Sequence, residues 1–148
     1  MIGLIQRVSQ AHVEVDKQII SQVKHGVVAL IGVERSDTEN SADKLLRRIL
    51  NYRIFPDAEG KMNLGLTEID GELLLVPQFT LAADTKKGMR PSFSSAAAPE
   101  QGEKLFDYLV DQARNSYSKV QCGKFGADMK VSLINDGPVT FWLHVQGW

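Results

Sequence analysis

The chain has 148 residues, 43% of them apolar, and a formal net charge of −1. That is enough for one soluble domain with a real core, expected to span residues 1–148. It excludes attraction to nucleic acid by overall charge, so any RNA contact must use a local basic patch. The single cysteine, Cys122, excludes an internal disulfide. No stretch approaches the roughly 18 apolar residues of a membrane helix, and the start Met1-Ile2-Gly3-Leu4 lacks a signal peptide's basic opening, so a cytoplasmic protein is expected.

The N-terminal third reads as an antiparallel meander of four runs: Ile2 to Val8, Ala11 to Asp16, Ile19 to Val23 and Val27 to Val33. Val13 and Val15 alternate with polar residues, which suits a half-buried strand, whereas Val27-Val28-Ala29-Leu30-Ile31 is continuously apolar and central. Ser36 with Glu39 resembles a capping box, and Ala42, Leu45, Leu46, Ile49 and Leu50 then repeat at helical spacing. Further on, Asp70-Gly71 offers a hairpin signal before the strand Leu73-Leu74-Leu75-Val76, which Pro77 ends.

A second helix is predicted from Pro99, with Leu105, Phe106, Leu109, Val110 and Ala113 on its buried face. Strands interrupted by two principal helices, without regular βαβ alternation, indicate an α+β domain with a mainly antiparallel sheet or barrel. Near the C-terminus, Asn135-Asp136-Gly137-Pro138-Val139-Thr140 separates two apolar alternating runs. Asp-Gly there signals a hairpin, but Pro138 has no N–H to close a two-residue turn. Two alternatives stand: a turn with a cis Gly137-Pro138 bond, or a wider loop with a trans bond.

The common catalytic signatures are absent. His12, His25 and His144 show no metal-ligand spacing, so no metal is expected, and there is no P-loop, GxGxxG or GxSxG. Gln78-Phe79-Thr80 follows a buried strand and precedes the basic loop holding Lys86, Lys87 and Arg90, a plausible ligand site. Thr80 is a candidate nucleophile with no base near it in sequence, and local hydrogen bonding by its hydroxyl is an equal reading. Arg7 shares a strand face with Gly3 and Ile5; it either sits partly buried against backbone carbonyls or faces water at an edge.

These blocks together resemble the bacterial D-aminoacyl-tRNA deacylases, also called D-tyrosyl-tRNA deacylases. The similarity runs through Ile5-Gln6-Arg7-Val8, Tyr52-Arg53-Ile54-Phe55, Lys61-Met62-Asn63-Leu64, Gln78-Phe79-Thr80-Leu81, Gly88-Met89-Arg90-Pro91-Ser92-Phe93 and Asn135 to Thr140. The resemblance implies a homodimer, without cofactor, that hydrolyses the ester between a D-amino acid and the 3′-terminal adenosine of tRNA; neither DNA nor a membrane is an expected partner. It implies a cis Gly137-Pro138 tip that enters the partner's pocket and excludes L-amino acids, with glycyl-tRNA as a possible second substrate. Arg7 would then orient the tip. Gln78, Phe79 and Thr80 would form the opposite wall, with the Phe79 N–H as oxyanion donor and the substrate's 2′-hydroxyl assisting water. Phe125 and Met129 match positions of an adenosine pocket, although a core role fits both residues equally well.

One departure stands out: the family block begins Ser-Gln-Phe-Thr, whereas Pro77 precedes Gln78 here. Loss of the serine hydroxyl and N–H raises an alternative from another class, an RNA-binding or interaction homologue with weakened catalysis.

Overall fold

The computed structural model describes residues 1–146; of the closing Gln146-Gly147-Trp148, the last two lie outside that range. The elements are β1 (Ile2–Val15), β2 (Gln18–Val23), β3 (Gly26–Gly32), α1 (Glu39–Asn51), β4 (Phe55–Pro56), β5 (Met62–Leu64), β6 (Glu72–Pro77), α2 (Pro99–Ser116), β7 (Val120–Cys122) and β8 (Lys130–His144). A short 3₁₀ turn, Phe79–Ala82, follows β6. The main sheet runs β2-β1-β3-β6-β7, and β8 pairs with β1. The result is an α+β, barrel-like domain with two helices.

The predicted meander is corrected in two ways. Ile2–Val8 and Ala11–Val15 belong to one long strand, with Asp16 already in the turn after it, and β1 lies between β2 and β3, paired antiparallel to both. Its first half takes β3 and its second half β2 as neighbours, while β8 follows it almost throughout. The sheet is mainly antiparallel, as expected, but two of its pairs are not. β3–β6 and β6–β7 are parallel, because α1 and α2 carry the chain back across the sheet between strands.

Ala42, Leu45, Leu46, Ile49 and Leu50 of α1 and Leu105, Phe106, Leu109, Val110 and Ala113 of α2 are all buried, as their spacing predicts. They cover one face of the sheet in the larger core cluster. A second cluster, with Val8, Val13, Val28, Leu74 and Val76, fills the other face. The α1 cap is Thr38 with Ser41, not Ser36 with Glu39: Thr38 N–H donates to Ser41 Oγ at 3.0 Å. Pro99 opens α2 as predicted.

Asp70-Gly71 makes no hairpin. Asp70 adopts a left-handed turn conformation (φ 55°), but the segment before it is turn rather than strand, and the partner of β5 is β4. At the far end of β8, His144 Nε2 lies 2.8 Å from Glu34 Oε2, which also accepts from the Met1 ammonium at 2.9 Å. Burial alone would raise the Glu34 carboxyl, but the two hydrogen bonds and the charge attraction of the same partners together outweigh it and hold the group below its ordinary range.

Candidate active site

The site residues form two groups, on two differently built segments. The first begins where β6 ends. Gln78 N–H donates to the Ile31 carbonyl at 2.7 Å, the last β3–β6 bond, and the chain then coils into the 3₁₀ turn starting at Phe79. An N–H at the first position of such a turn has no carbonyl behind it within the turn, so that of Phe79 is available to an outside acceptor. The Phe79 ring is 60% exposed.

Pro77 sits where the ladder to β7 stops. N–H groups alternate sides along a strand; that of Gln78 points to β3, so the Pro77 nitrogen faces the β7 side. Gly123 N–H still donates to the Leu75 carbonyl at 2.8 Å, so residue 77 would be the next donor on that side, and proline, with no N–H, ends the ladder after the Leu75–Cys122 pair. The bond that Gln78 makes to β3 is untouched.

Behind the turn lies a cavity of about 470 Å³. Its lining includes Pro77, Gln78 and Phe79 from this corner, Gly102 and Phe106 from α2, and Phe125, Asp128 and Met129 from the loop after β7. Phe125 and Met129 therefore line a cavity and also pack on the core clusters. A Cβ on Gly102 would stand 3.3 Å from the Phe125 ring. Glycine at this point of α2 lets that ring lie close.

Thr80 is exposed and does not line the cavity. Its Oγ1 accepts a hydrogen bond from Gln78 Nε2 at 2.5 Å. A carboxamide N–H is a donor, the opposite of the base a nucleophilic hydroxyl requires. This is the local hydrogen bonding anticipated as the equal reading of Thr80.

The second group is built on β8. Gln6 pairs with Thr140 and Val8 with Asn135, so one residue of β1, Arg7, faces four of β8, Asp136 to Val139. The predicted break between two runs is thus no hairpin, because both runs pair with the same strand and the four residues loop out of one continuous strand. The Gly137-Pro138 bond is cis. Gly137 has φ 135°, and a Cβ there would come within 2.7 Å of Val139 Cγ2 and 3.1 Å of Arg7 Nη2, so only glycine fits comfortably.

Arg7 spans the loop's base. Its Nε donates to the Asp136 carbonyl at 3.0 Å and its Nη1 to the Ile54 carbonyl at 2.8 Å, and its side chain is 14% exposed. Of the two readings of Arg7, the partly buried one with carbonyl acceptors is the observed one. Asn135 holds the loop from within: its Oδ1 accepts from Val139 N–H at 3.1 Å and its Nδ2 donates to Thr140 Oγ1 at 2.9 Å.

Arg7, Gly137 and Pro138 do not line the cavity that holds Gln78, Phe79, Phe125 and Met129. Within one chain, then, the structure assembles the tip with its arginine and the wall with its cavity, but not the two together.

Three residues of this arrangement have no role of their own in the sequence reading. Asn135 was signalled by its side chain's tendency to bond main chain two to four residues on. Gly102 was signalled by its spacing of three and four residues from Leu105 and Phe106 on one helix face. Asp128 had no signal.

Among the described residues no three His, Cys, Asp or Glu side chains are grouped to hold a metal, and no helix is long and apolar enough to cross a membrane.

A family model described as D-Tyr-tRNA(Tyr) deacylase matches residues 4–144. A protein from Cellvibrio japonicus named D-aminoacyl-tRNA deacylase is 57% identical over 146 residues, covering 99% of this chain and 100% of that one. A solved structure described as c-Myc DNA Unwinding Element Binding Protein superposes with a TM-score of 0.95 at 37% identity, over 99% of each chain. A second, described as a probable eukaryotic D-amino acid tRNA deacylase, has a TM-score of 0.85 at 18% identity over 96% of this chain and 97% of that one, a likeness of fold.

Proposed function

The chain belongs to the D-Tyr-tRNA(Tyr) deacylase family, whose members are hydrolases, and from that premise we propose that it cleaves D-aminoacyl-tRNA at the cavity behind Phe79. The observation that carries the site assignment is the Phe79 N–H at the opening of a 3₁₀ turn beside an apolar cavity with an aromatic side chain within it. The terminal adenosine occupies the cavity against Phe125 and Met129. The ester carbonyl lies over the turn. Water adds to the carbonyl carbon, the developing oxyanion accepts from Phe79 N–H, and the bond to the ribose 3′-oxygen then breaks with transfer of the water proton to that oxygen. The neighbouring 2′-hydroxyl of the substrate orients the water, which suits a site whose Thr80 hydroxyl meets a donor and no base.

Chirality is set by the Gly137-Pro138 tip of a second copy. An L side chain would collide with this tip, a D side chain points away, and glycine, with no side chain, passes. Two features support a dimer. The tip lies outside its own chain's cavity, and β8 pairs among the described residues with β1 alone while exposing Ile134 (52%), Phe141 (37%) and Trp142 (56%). A long edge strand with large apolar side chains in water is a surface that a second chain would cover. Action on charged tRNA places the protein in the cytoplasm.

The weakened-homologue alternative rested on Pro77, and with proline there the Gln78 N–H still reaches the Ile31 carbonyl and the 3₁₀ turn still opens at Phe79. Purified protein assayed on D-Tyr-, L-Tyr- and Gly-tRNA tests the reading: release of D-Tyr and Gly with L-Tyr-tRNA spared is expected. Equal rates on both Tyr enantiomers, or none above buffer, overturn it. Thr80→Ala is expected to keep kcat within about threefold, roughly the worth of one neutral hydrogen bond; loss of all activity would instead make Thr80 the nucleophile.

A further inference from the structure

Resting on the reading that the cavity takes the terminal adenosine, we propose that the recess beside it binds the preceding nucleotide of the substrate's single-stranded 3′ end, its base stacked on Phe79 and Phe93. This recess, about 690 Å³, is lined by Arg35, Phe93, Ala96 and Gln101 and shares Phe79, Ala97 and Pro99 with the adenosine cavity. The two volumes therefore meet along one wall. A strand leaving the first would cross that wall into the second.

The two phenylalanine rings have centroids 5.4 Å apart, tilted by 40°. They are 60% and 44% exposed, and neither belongs to a core cluster. Ester hydrolysis itself uses only the Phe79 N–H, so it leaves both rings unexplained. Aromatic faces beside a basic surface are what single-stranded nucleic acid requires, since every base offers a π-face.

Positive charge lies on the loop that leads into Phe93. Asp84 and Ser92 exchange backbone hydrogen bonds of 2.7 and 2.9 Å, closing the neck of a loop at whose foot Phe93 stands. Residues 85–93 hold Lys86, Lys87 and Arg90 and no carboxylate. Among the described residues no ion pair engages these three or Arg35. Arg35 meets the phosphate between the last two nucleotides and the loop meets phosphates further along. Because stacking tolerates any base, the recess adds affinity for RNA-linked substrate and selects no particular base.

Kinetics with Phe93→Ala test this on two substrates, D-Tyr-tRNA and D-tyrosyl-adenosine, which lacks the preceding nucleotide. The expected result is a KM for D-Tyr-tRNA raised about tenfold, the effect of one lost stacking contact, with kcat and the nucleoside substrate unchanged and Phe93→Trp restoring the tRNA KM. The same loss on both substrates, or no loss on tRNA, overturns the subsite. Fluorescence anisotropy adds a readout independent of hydrolysis: labelled uncharged RNA ending in CCA is compared with the same RNA abasic at the penultimate position. Wild-type protein should prefer the intact RNA about tenfold, and Phe93→Ala should remove the preference. Equal affinity of the wild type for both overturns the subsite even if the ester is cleaved, whereas a preference without cleavage strikes the hydrolase reading alone.

Discussion

The wall at Gln78 to Thr80 rises from β6, a strand buried between β3 and β7, whereas the tip at Gly137-Pro138 hangs from β8, which pairs among the described residues with β1 alone. The wall inherits its position from core packing: Leu73, Leu74, Leu75 and Val76 are all at most 1% exposed. The tip has no such support. Asp136, Gly137 and Pro138 are exposed, and polar bonds from Arg7 and Asn135 hold the loop. Packing would suit the proposed role of the wall, one N–H presented to every substrate. A hydrogen-bonded loop can reach away from its own domain. If the two parts divide the work in this way, changes at the tip should alter chiral selectivity and changes at the wall should alter rate.

The largest effect is expected at Gly137. In Gly137→Ala a Cβ 2.7 Å from Val139 Cγ2, on a backbone at φ 135°, forces the loop to move. Strain of about 2 to 3 kcal/mol, the usual cost of such a residue, should lower the D/L ratio of kcat/KM by about a hundredfold. An unchanged ratio with a lower rate on both substrates would assign the tip to catalysis and end the division of labour.

Arg7→Ala should come next. It removes two charge-assisted hydrogen bonds to carbonyls, each worth about 1.5 to 3 kcal/mol, but water can reach the exposed side of the loop and recover part of this. A roughly tenfold fall in the D/L ratio and a loss of about 2 kcal/mol in urea unfolding are expected. Arg7→Lys should fall between, since an ammonium is a point donor and lacks the guanidinium's fork across two acceptors.

The same contrast explains what could be read from the sequence. Both helix faces and the continuously apolar strands were legible because periodicity reports burial, and burial fixes these elements. The wall was legible as a strand end, since Pro77 and the polar Gln78 mark it. The tip was legible only as an anomaly, Asp-Gly followed by a proline. Its actual form depends on Arg7, more than a hundred residues away, and on β1 being one strand long enough to pair with both halves of β8. Pairing order is a long-range property, and this is also why the meander failed: local alternation does not say which strand lies between which. The α1 cap was misplaced by two residues because Ser36, Thr38 and Ser41 all offer hydroxyls.

A smaller effect should separate the two regions by pH. Glu34, joined to His144 and to the Met1 ammonium, secures the end of the strand that carries the tip, while none of Gln78, Phe79 and Thr80 titrates. Its carboxyl is held below the ordinary value of 4.5, so its contribution is fully present above that value and is lost as pH falls through the lowered folded value. Urea unfolding should therefore weaken below about pH 4.5. Glu34→Gln should cost about 1 kcal/mol at pH 7 and flatten this acid limb. An equally steep limb in the variant would mean that other carboxylates govern acid unfolding.

The smallest effect is expected at Pro77, and it sharpens the comparison from the wall's side. Pro77→Ser restores the residue of the resembling family's block, returning a hydroxyl and an N–H. The restored N–H would face the β7 side beside Gly123, whose own N–H reaches the Leu75 carbonyl, and is the next donor in that ladder. The ring's own packing is modest: Pro77 is half-buried, its Cδ 3.3 Å from where a Cβ on Gly123 would stand. Serine would give up that contact and some of the stiffness proline lends the unfolded chain, a loss of about 0.5 to 1 kcal/mol that one added main-chain hydrogen bond would offset. Since the position of Phe79 N–H follows from the Gln78–Ile31 bond and the 3₁₀ turn, neither of which uses residue 77's N–H, kcat/KM on D-Tyr-tRNA should stay within about twofold. A gain of tenfold or more on Pro77→Ser would show that the wall depends on a side-chain hydroxyl as well as on the main chain that packing holds in place.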